Sequence, residues 1–265
     1  MSEFTLPVAG NLRSERISRV KSIYKELFSK EWKGKPVWEG VRDKELTAAP
    51  CFSGDQYRRE NVRLMIVGRA VNGWEVDFEN CSSCEAAVKS VLEQTNRMDD
   101  FAKDYTVDEA GKKYFYAKSS FLRMMKQMTA AFAGTDENWQ RRIAWSNLFK
   151  IAPRNGGNPS WKMIRDDIPL YRELLEQEIM LCKPNVVVFT TDMNFFDPYP
   201  GSKKYESFLP LMKEEKPGIE SKYICAAGSF AKDDSIKMIV CKRPERRPVS
   251  KLVQDIHEAY LQLTR

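Results

Sequence analysis

The stretch Arg63–Trp74, RLMIVGRAVNGW, decides the reading of this chain. Leu64 to Gly68 form an unbroken apolar run that ends in a glycine, and a second glycine, Gly73, follows in the next loop. A run of that length without polar alternation suits a strand buried on both faces, as in a parallel sheet. Ligands of open parallel sheets bind just past the carboxyl ends of the strands. That rule puts Arg69, Ala70, Asn72, Trp74 and Asp77 where such folds keep their chemistry. An ordinary strand-to-helix turn leaves the same trace, so the rest of the chain has to decide between the two.

Working outward, residues 14–30 carry apolar side chains at helical spacing, through Ile17, Val20, Ile23, Tyr24, Leu27 and Phe28. Residues 33–60, with Pro36, Gly40, Pro50 and Gly54, read as an irregular wrap. Beyond the glycine loop, 84–98 reads as a helix and 99–118 as a polar, aromatic excursion. Residues 119–132 read as a helix whose stripe Phe121, Met124, Met125, Met128 belongs in a core. A strand and a Pro/Gly/Asn-rich loop follow within 141–160. Then come a helix over 168–181, a buried strand over 185–190, loop and a short helix over 192–220, strands at 222–226 and 236–241, and a last helix from Ser250, its expected N-cap. This alternation predicts an α/β fold, three-layer α/β/α, with a central, mainly parallel sheet of four or five strands. Residues 1–265 read as one domain, with 1–60 a helical arm and wrap and 61–265 the core.

Composition narrows the class. Hydrophobic residues make up 42% of the 265 and charged residues 30%, as in ordinary globular chains. No apolar run reaches the roughly 20 residues of a membrane helix, and the N-terminus lacks the basic start and apolar core of a secretory signal. An intracellular, cytoplasmic protein with no membrane partner is expected, and a monomer. Net charge is +6, a mild excess that permits polyanion binding. Of six cysteines only Cys81 and Cys84 form a CxxC, without the second pair a structural metal would want, so no metal and no cofactor are expected. The single histidine, His257, borders the apolar face of the last helical pattern (Val253, Ile256, Tyr260). Ser-His-Asp chemistry and multi-histidine metal centres have nothing else to draw on.

Three strand-to-loop junctions stand out: IVGRAVNGWEVDF (66–78), AWSNLFKIAPRNGGNP (144–159) and KMIVCKRPERRP (237–248). In this order, with KPNVVVF (183–189) before the last, they resemble the uracil-DNA glycosylase superfamily over about residues 60–260. The resemblance implies a parallel sheet between helices and a glycine loop after the first strand. It also implies a base-reading asparagine at the end of the middle strand and a His-Pro-Ser-like loop after the last, which meets DNA. On that pattern Gly68, Arg69, Ala70, Trp74, Phe78 and Asn147 bind the base. Asn147 reads its edge, since an amide donates and accepts at once, and Trp74 or Phe78 supplies a stacking face. Lys242, Arg246, Arg247 and Lys251, together with Arg243, hold the nucleic-acid backbone. Turn closure by Asn147, loop packing by the aromatics and a solvated charge run are the plainer alternatives.

The chain departs from the pattern at both catalytic places. Ala70 stands where the family has a water-positioning Asp, Asn or Glu, which leaves Asn72, Glu75 or Asp77 to replace it. Arg243 stands where the family has a histidine, and Glu245 where it has a serine. A guanidinium can steady a departing anion but cannot donate a proton near neutral pH. The resemblance therefore implies a divergent glycosylase-like protein. It would recognise a nucleobase in nucleic acid, DNA before RNA, or in a nucleotide, with hydrolysis of the N-glycosidic bond carried by Asp77, Asn72, Glu75 and Arg243. A non-catalytic nucleic-acid or nucleobase binder of the same fold is the alternative, and a different α/β hydrolase or transferase with a sugar-phosphate ligand is a third.

Overall fold

The computed structural model describes residues 11–71, 78, 81–94, 105–107, 113–115, 118–155, 157–215 and 220–265. Five longer helices are α1 (Asn11–Ser29), α2 (Cys84–Leu92), α3 (Ser120–Ala133), α4 (Ile168–Cys182) and α5 (Val249–Leu263). The central sheet takes β1 (Phe52–Ser53), β2 (Leu64–Ala70), β3 (Ala144–Phe149), β4 (Val186–Phe189), β5 (Met212–Glu215), β6 (Ile224–Phe230) and β7 (Asp233–Cys241).

The fold is mixed α/β. Its seven strands lie in the order β5-β6-β7-β4-β2-β3-β1. The inner four, β7, β4, β2 and β3, are mutually parallel. The outer pairings, β5–β6, β6–β7 and β1–β3, are antiparallel. The chain moves from β2 to β3 on one side, then returns past β2 to β4, so β2 and β4 flank the point where the winding reverses.

Apolar side chains pack on both faces of the sheet, because the parallel strands carry continuous apolar runs. Met65 and Val67 share one cluster with Ile23, Tyr24 and Phe28 of α1, Val88 and Val91 of α2, and Leu174 and Ile179 of α4. Leu64 and Ile66 share another with Met124, Met125 and Met128 of α3 and Leu252 and Ile256 of α5. Each such side chain taken from water contributes about 1.5–3 kcal/mol. Helix ends follow local chemistry. Ser119 Oγ accepts from the Leu122 N–H at the start of α3 (3.3 Å). Gly134 (φ 75°) closes the same helix with its N–H on the Ala130 carbonyl. No described helix is long and apolar enough to cross a membrane.

Several details differ from the sequence reading. The sheet has seven strands, not four or five. β5 falls in a stretch that reads as loop, since Met-Lys-Glu-Glu offers no apolar run; on an edge strand, charged side chains discourage pairing with another chain. The last strands, read as a strand or hairpin from runs at 222–226 and 236–241, are an antiparallel hairpin, β6 and β7, longer than those runs. Residues 11–60 are more than an arm and wrap: α1 is built into the core, and β1 extends the sheet beside β3. α2 ends at Leu92 rather than at 98. α5 begins at Val249 with Pro248 at its cap, so Ser250 lies in the first turn and caps nothing. His257 borders the apolar face as read, with its ring edge-on to Phe132 at 5.1 Å.

Candidate functional site

Because the inner strands are parallel, the loops after β2, β3, β4 and β7 all leave from one edge of the sheet. Ser146, Val67, Phe189 and Val240 form a cross-strand row just below that edge. One residue further along the four strands stand Asn147, Gly68, Thr190 and Cys241. All three sequence motifs therefore meet at one sheet edge.

Asn147 is 4% exposed and pairs in register with Gly68. A Cβ on Gly68 would lie 2.5 Å from the Asn147 Oδ1 and 3.7 Å from the Phe121 ring. Glycine is what allows the amide to sit there. Phe121 in turn packs on Trp145 at 5.6 Å. Ser146 on the same strand and Lys150, just past its end, belong to a buried polar knot. Lys150 Nζ donates to Glu178 Oε2 (2.6 Å) and to Ser146 Oγ, and Ser146 Oγ donates to Glu178 Oε2 (2.7 Å). Lys150 has no exposed surface, so the knot fixes the end of β3 on α4 from within the core.

The second half of the site sits where the winding reverses. Arg69, at the end of β2, donates from Nε to the Thr191 carbonyl (2.9 Å) and from Nη2 to Asp192 Oδ2. Its guanidinium lies 4.0 Å over the Phe195 ring. Burial first, and the neighbouring Arg243 second, pull Arg69 below the usual guanidinium range, against the pull of Asp192. Asp192 Oδ1 accepts the Arg243 N–H (3.3 Å), while the Asp192 N–H donates to the Cys241 carbonyl (3.1 Å). One carboxylate thus ties β2, β4 and the loop after β7 together. Its backbone, φ 58° and ψ 160°, lies in a region that glycine dominates. Strain of this kind persists where the surroundings hold it, and it gathers at functional sites.

The loop after β7 closes on itself. Arg243 Nη2 donates to Glu245 Oε1 (2.7 Å), and Arg247 Nη1 donates to the carbonyls of Arg243 (2.9 Å) and Glu245 (3.2 Å). Arg246 is exposed at φ 59°. Lys251 pairs with Asp255 at 2.9 Å. The five cations are therefore not one open patch. Arg247 is a loop clasp and Lys251 a helix ion pair, while Lys242 and Arg246 keep their charges unpaired among the described residues.

Gly68, Arg69, Asn147 and Arg243 come together at this edge. Ala70, the last residue of β2, is half-buried against both apolar clusters. Phe78 is a correction: at 2% exposure it packs in the core and offers no open ring face for stacking. Asn72, Trp74, Glu75 and Asp77 lie outside the described residues.

Sequence reading misses Asp192. The strand-end rule that selects the residues after β2 holds equally for β4, where it selects Thr190–Asp192 directly. Lys150 and Glu178 also escape it, because their pairing joins two distant segments. Comparison with known protein families and with curated proteins finds no match for this chain.

Proposed function

We propose that this chain is a divergent uracil-DNA-glycosylase-like protein that recognises a nucleobase in nucleic acid, DNA before RNA, on a three-layer α/β/α frame. The observation that carries the reading is the Asn147 amide, held against Gly68 at the carboxyl edge of the parallel strands. An amide there can donate to and accept from a base edge, in a place shielded enough for those bonds to count. Two further features support it. The winding reversal is the usual ligand crevice of such sheets, and it holds Arg69 and Asp192. The loop after β7, which follows the family's DNA-contacting loop in sequence, is docked on Asp192 through its backbone. Arg246 and Lys242 then face phosphates, and the setting is intracellular and cytoplasmic.

Recognition comes before catalysis in this reading. Arg243, the residue that would steady a leaving base anion, is engaged by Glu245, and Ala70 brings only a methyl group. Hydrolysis is the second reading. Asn72, Glu75 or Asp77 would position a water to attack the sugar C1′; the carboxylate of Glu75 or Asp77 would take the water's proton, and the electron pair of the breaking N-glycosidic bond would leave with the base as an anion. The experiment measures binding by anisotropy and base release by chromatography on single- and double-stranded oligonucleotides containing uracil or other altered bases, for the wild type and Asn147→Ala. Binding without release places the chain among the recognisers. Release that Asn147→Ala abolishes makes it an enzyme. Neither binding nor release removes the reading altogether.

A further inference from the structure

Outside the three motifs, four half-buried aromatic rings form a single file that begins at Arg69. Phe195 lies under the Arg69 guanidinium at 4.0 Å. Trp161 follows at 5.2 Å, tilted 33°, then Tyr199 at 5.7 Å and Tyr205 at 4.6 Å, tilted 37°. Arg165 and Lys204 close the far end, 5.5 and 5.2 Å from the Tyr205 ring. Phe149, the buried end of β3, supports the file from below, in contact with Trp161 and Phe195 at 6.4 Å each. The row therefore leads from the winding reversal of the sheet out to the surface.

Charge flanks the row with one sign in excess. Lys162, Lys203 and Lys204 are exposed and carry no ion pair among the described residues. Of the nearby acids, Asp166 pairs with Arg165 and Glu206 with Arg172, which leaves Asp197. Rings kept half-open beside unpaired lysines suit one class of ligand well. Bases of any sequence stack on such rings, and the phosphates between them displace counterions from the lysines. A duplex keeps its base faces covered and cannot use the rings.

We infer that this row is the path of a single-stranded nucleic acid leading to the sheet edge, with bases on Trp161, Tyr199 and Tyr205 and phosphates on Lys162, Lys203 and Lys204. The inference rests on the nucleobase reading above and adds the form of the substrate. The test is a titration of the full chain with a fluorescein-labelled single-stranded oligothymidine, followed by anisotropy, beside the same strand in a duplex. Tyr199→Ala and Tyr205→Ala should each weaken single-strand binding about tenfold, whereas Tyr205→Phe, which keeps the ring, should not. Lys162→Glu combined with Lys203→Glu alters only exposed side chains, away from the cation held over Tyr205, and should flatten the salt dependence, by about 0.7 in log–log slope for each phosphate no longer neutralised. If these variants bind like the wild type, if the duplex binds more tightly than the single strand, or if neither binds, the path is overturned. A neutral oligosaccharide that competes for the row would overturn it as well. Asn147→Ala separates the two readings: weakened binding in the row variants, with no base preference to lose at Asn147, leaves the strand path standing and removes the nucleobase reading.

Discussion

Asn147 stands opposite Gly68 across the ladder between β2 and β3, and its Oδ1 fills the space that a Cβ on Gly68 would need, 2.5 Å away. The two residues act as one unit, because the amide can hold its place only while position 68 lacks a side chain. Gly68→Ala should push the Asn147 side chain aside at a folding cost of about 1–3 kcal/mol, typical of one added methyl in a packed site. Base preference should fall as far as it does in Asn147→Ala. Urea unfolding and oligonucleotide titration of both variants check this. An alanine variant with undiminished preference would show that the amide's position does not matter.

Asp192 makes a second, less usual prediction. Its backbone conformation favours glycine, while its carboxylate holds Arg69 and the Arg243 N–H. Both Asp192→Ala and Asp192→Gly lose the carboxylate, but only the glycine relieves the backbone. Asp192→Gly should therefore be the more stable of the two by about 1 kcal/mol or more, the reverse of the usual order of alanine over glycine. Equilibrium urea unfolding decides it, and an alanine variant equal to or better than the glycine one would remove the strain argument.

The knot of Lys150, Glu178 and Ser146 predicts strong coupling. Removing one charge leaves the other buried without its partner, at a cost of about 3–5 kcal/mol. Lys150→Met and Glu178→Gln should each fall in that range, and Lys150→Met/Glu178→Leu should cost clearly less than the two single changes together. A double-mutant cycle by chemical denaturation measures the coupling; additive effects would mean that the pair is not a unit.

Cys51 and Cys182 lie with their sulfurs 3.7 Å apart in the core. The hydrogen bond to Cys182, then burial, pushes the Cys51 thiol well above its ordinary 9.0. The folded state thus keeps a proton that the unfolded chain releases in alkaline solution. Stability from this source is fully present below about pH 9 and declines above it, by at most about 1.4 kcal/mol per pH unit for one group. In the same way Cys51 should resist iodoacetamide at about pH 8, below the thiol's ordinary range, until the protein unfolds. Mass spectrometry of the alkylated peptides reads this out, and labelling of Cys51 in the folded state would contradict it.

These sites show where the sequence speaks and where it is silent. β2, β4 and the end of β7 are legible because each buries a continuous apolar run on both faces. The Met stripe of α3 is legible because its spacing is helical. β1 and β5 are not, since a two-residue edge strand and a charged one bury too little to leave a pattern. Asn147 and Gly68 can be singled out as a polar residue and a glycine set in apolar strand runs, although β2 and β3 each continue two residues past them, to Ala70 and Phe149. The tie from Asp192 to Arg69 cannot, because it depends on a backbone conformation with no signature in residue type. The run Lys242–Lys251 reads as one basic patch, yet Arg247 and Lys251 are spent on a loop clasp and an ion pair that only folding reveals. The aromatic row draws on Trp161, Phe195, Tyr199 and Tyr205, and only the packing of β3 against the segment after β4 makes them neighbours.

The central claim, that the Asn147 amide reads a nucleobase, is tested most directly by one pair of affinities. A single strand carrying uracil is titrated against the same strand with a reduced abasic residue at that position, for the wild type and for Asn147→Ala. A paired donor and acceptor on a base edge is worth roughly tenfold or more in discrimination. The wild type should prefer the uracil strand by about that factor, and Asn147→Ala should bind both strands alike. Equal affinities in the wild type, or a preference that survives Asn147→Ala, would contradict the account.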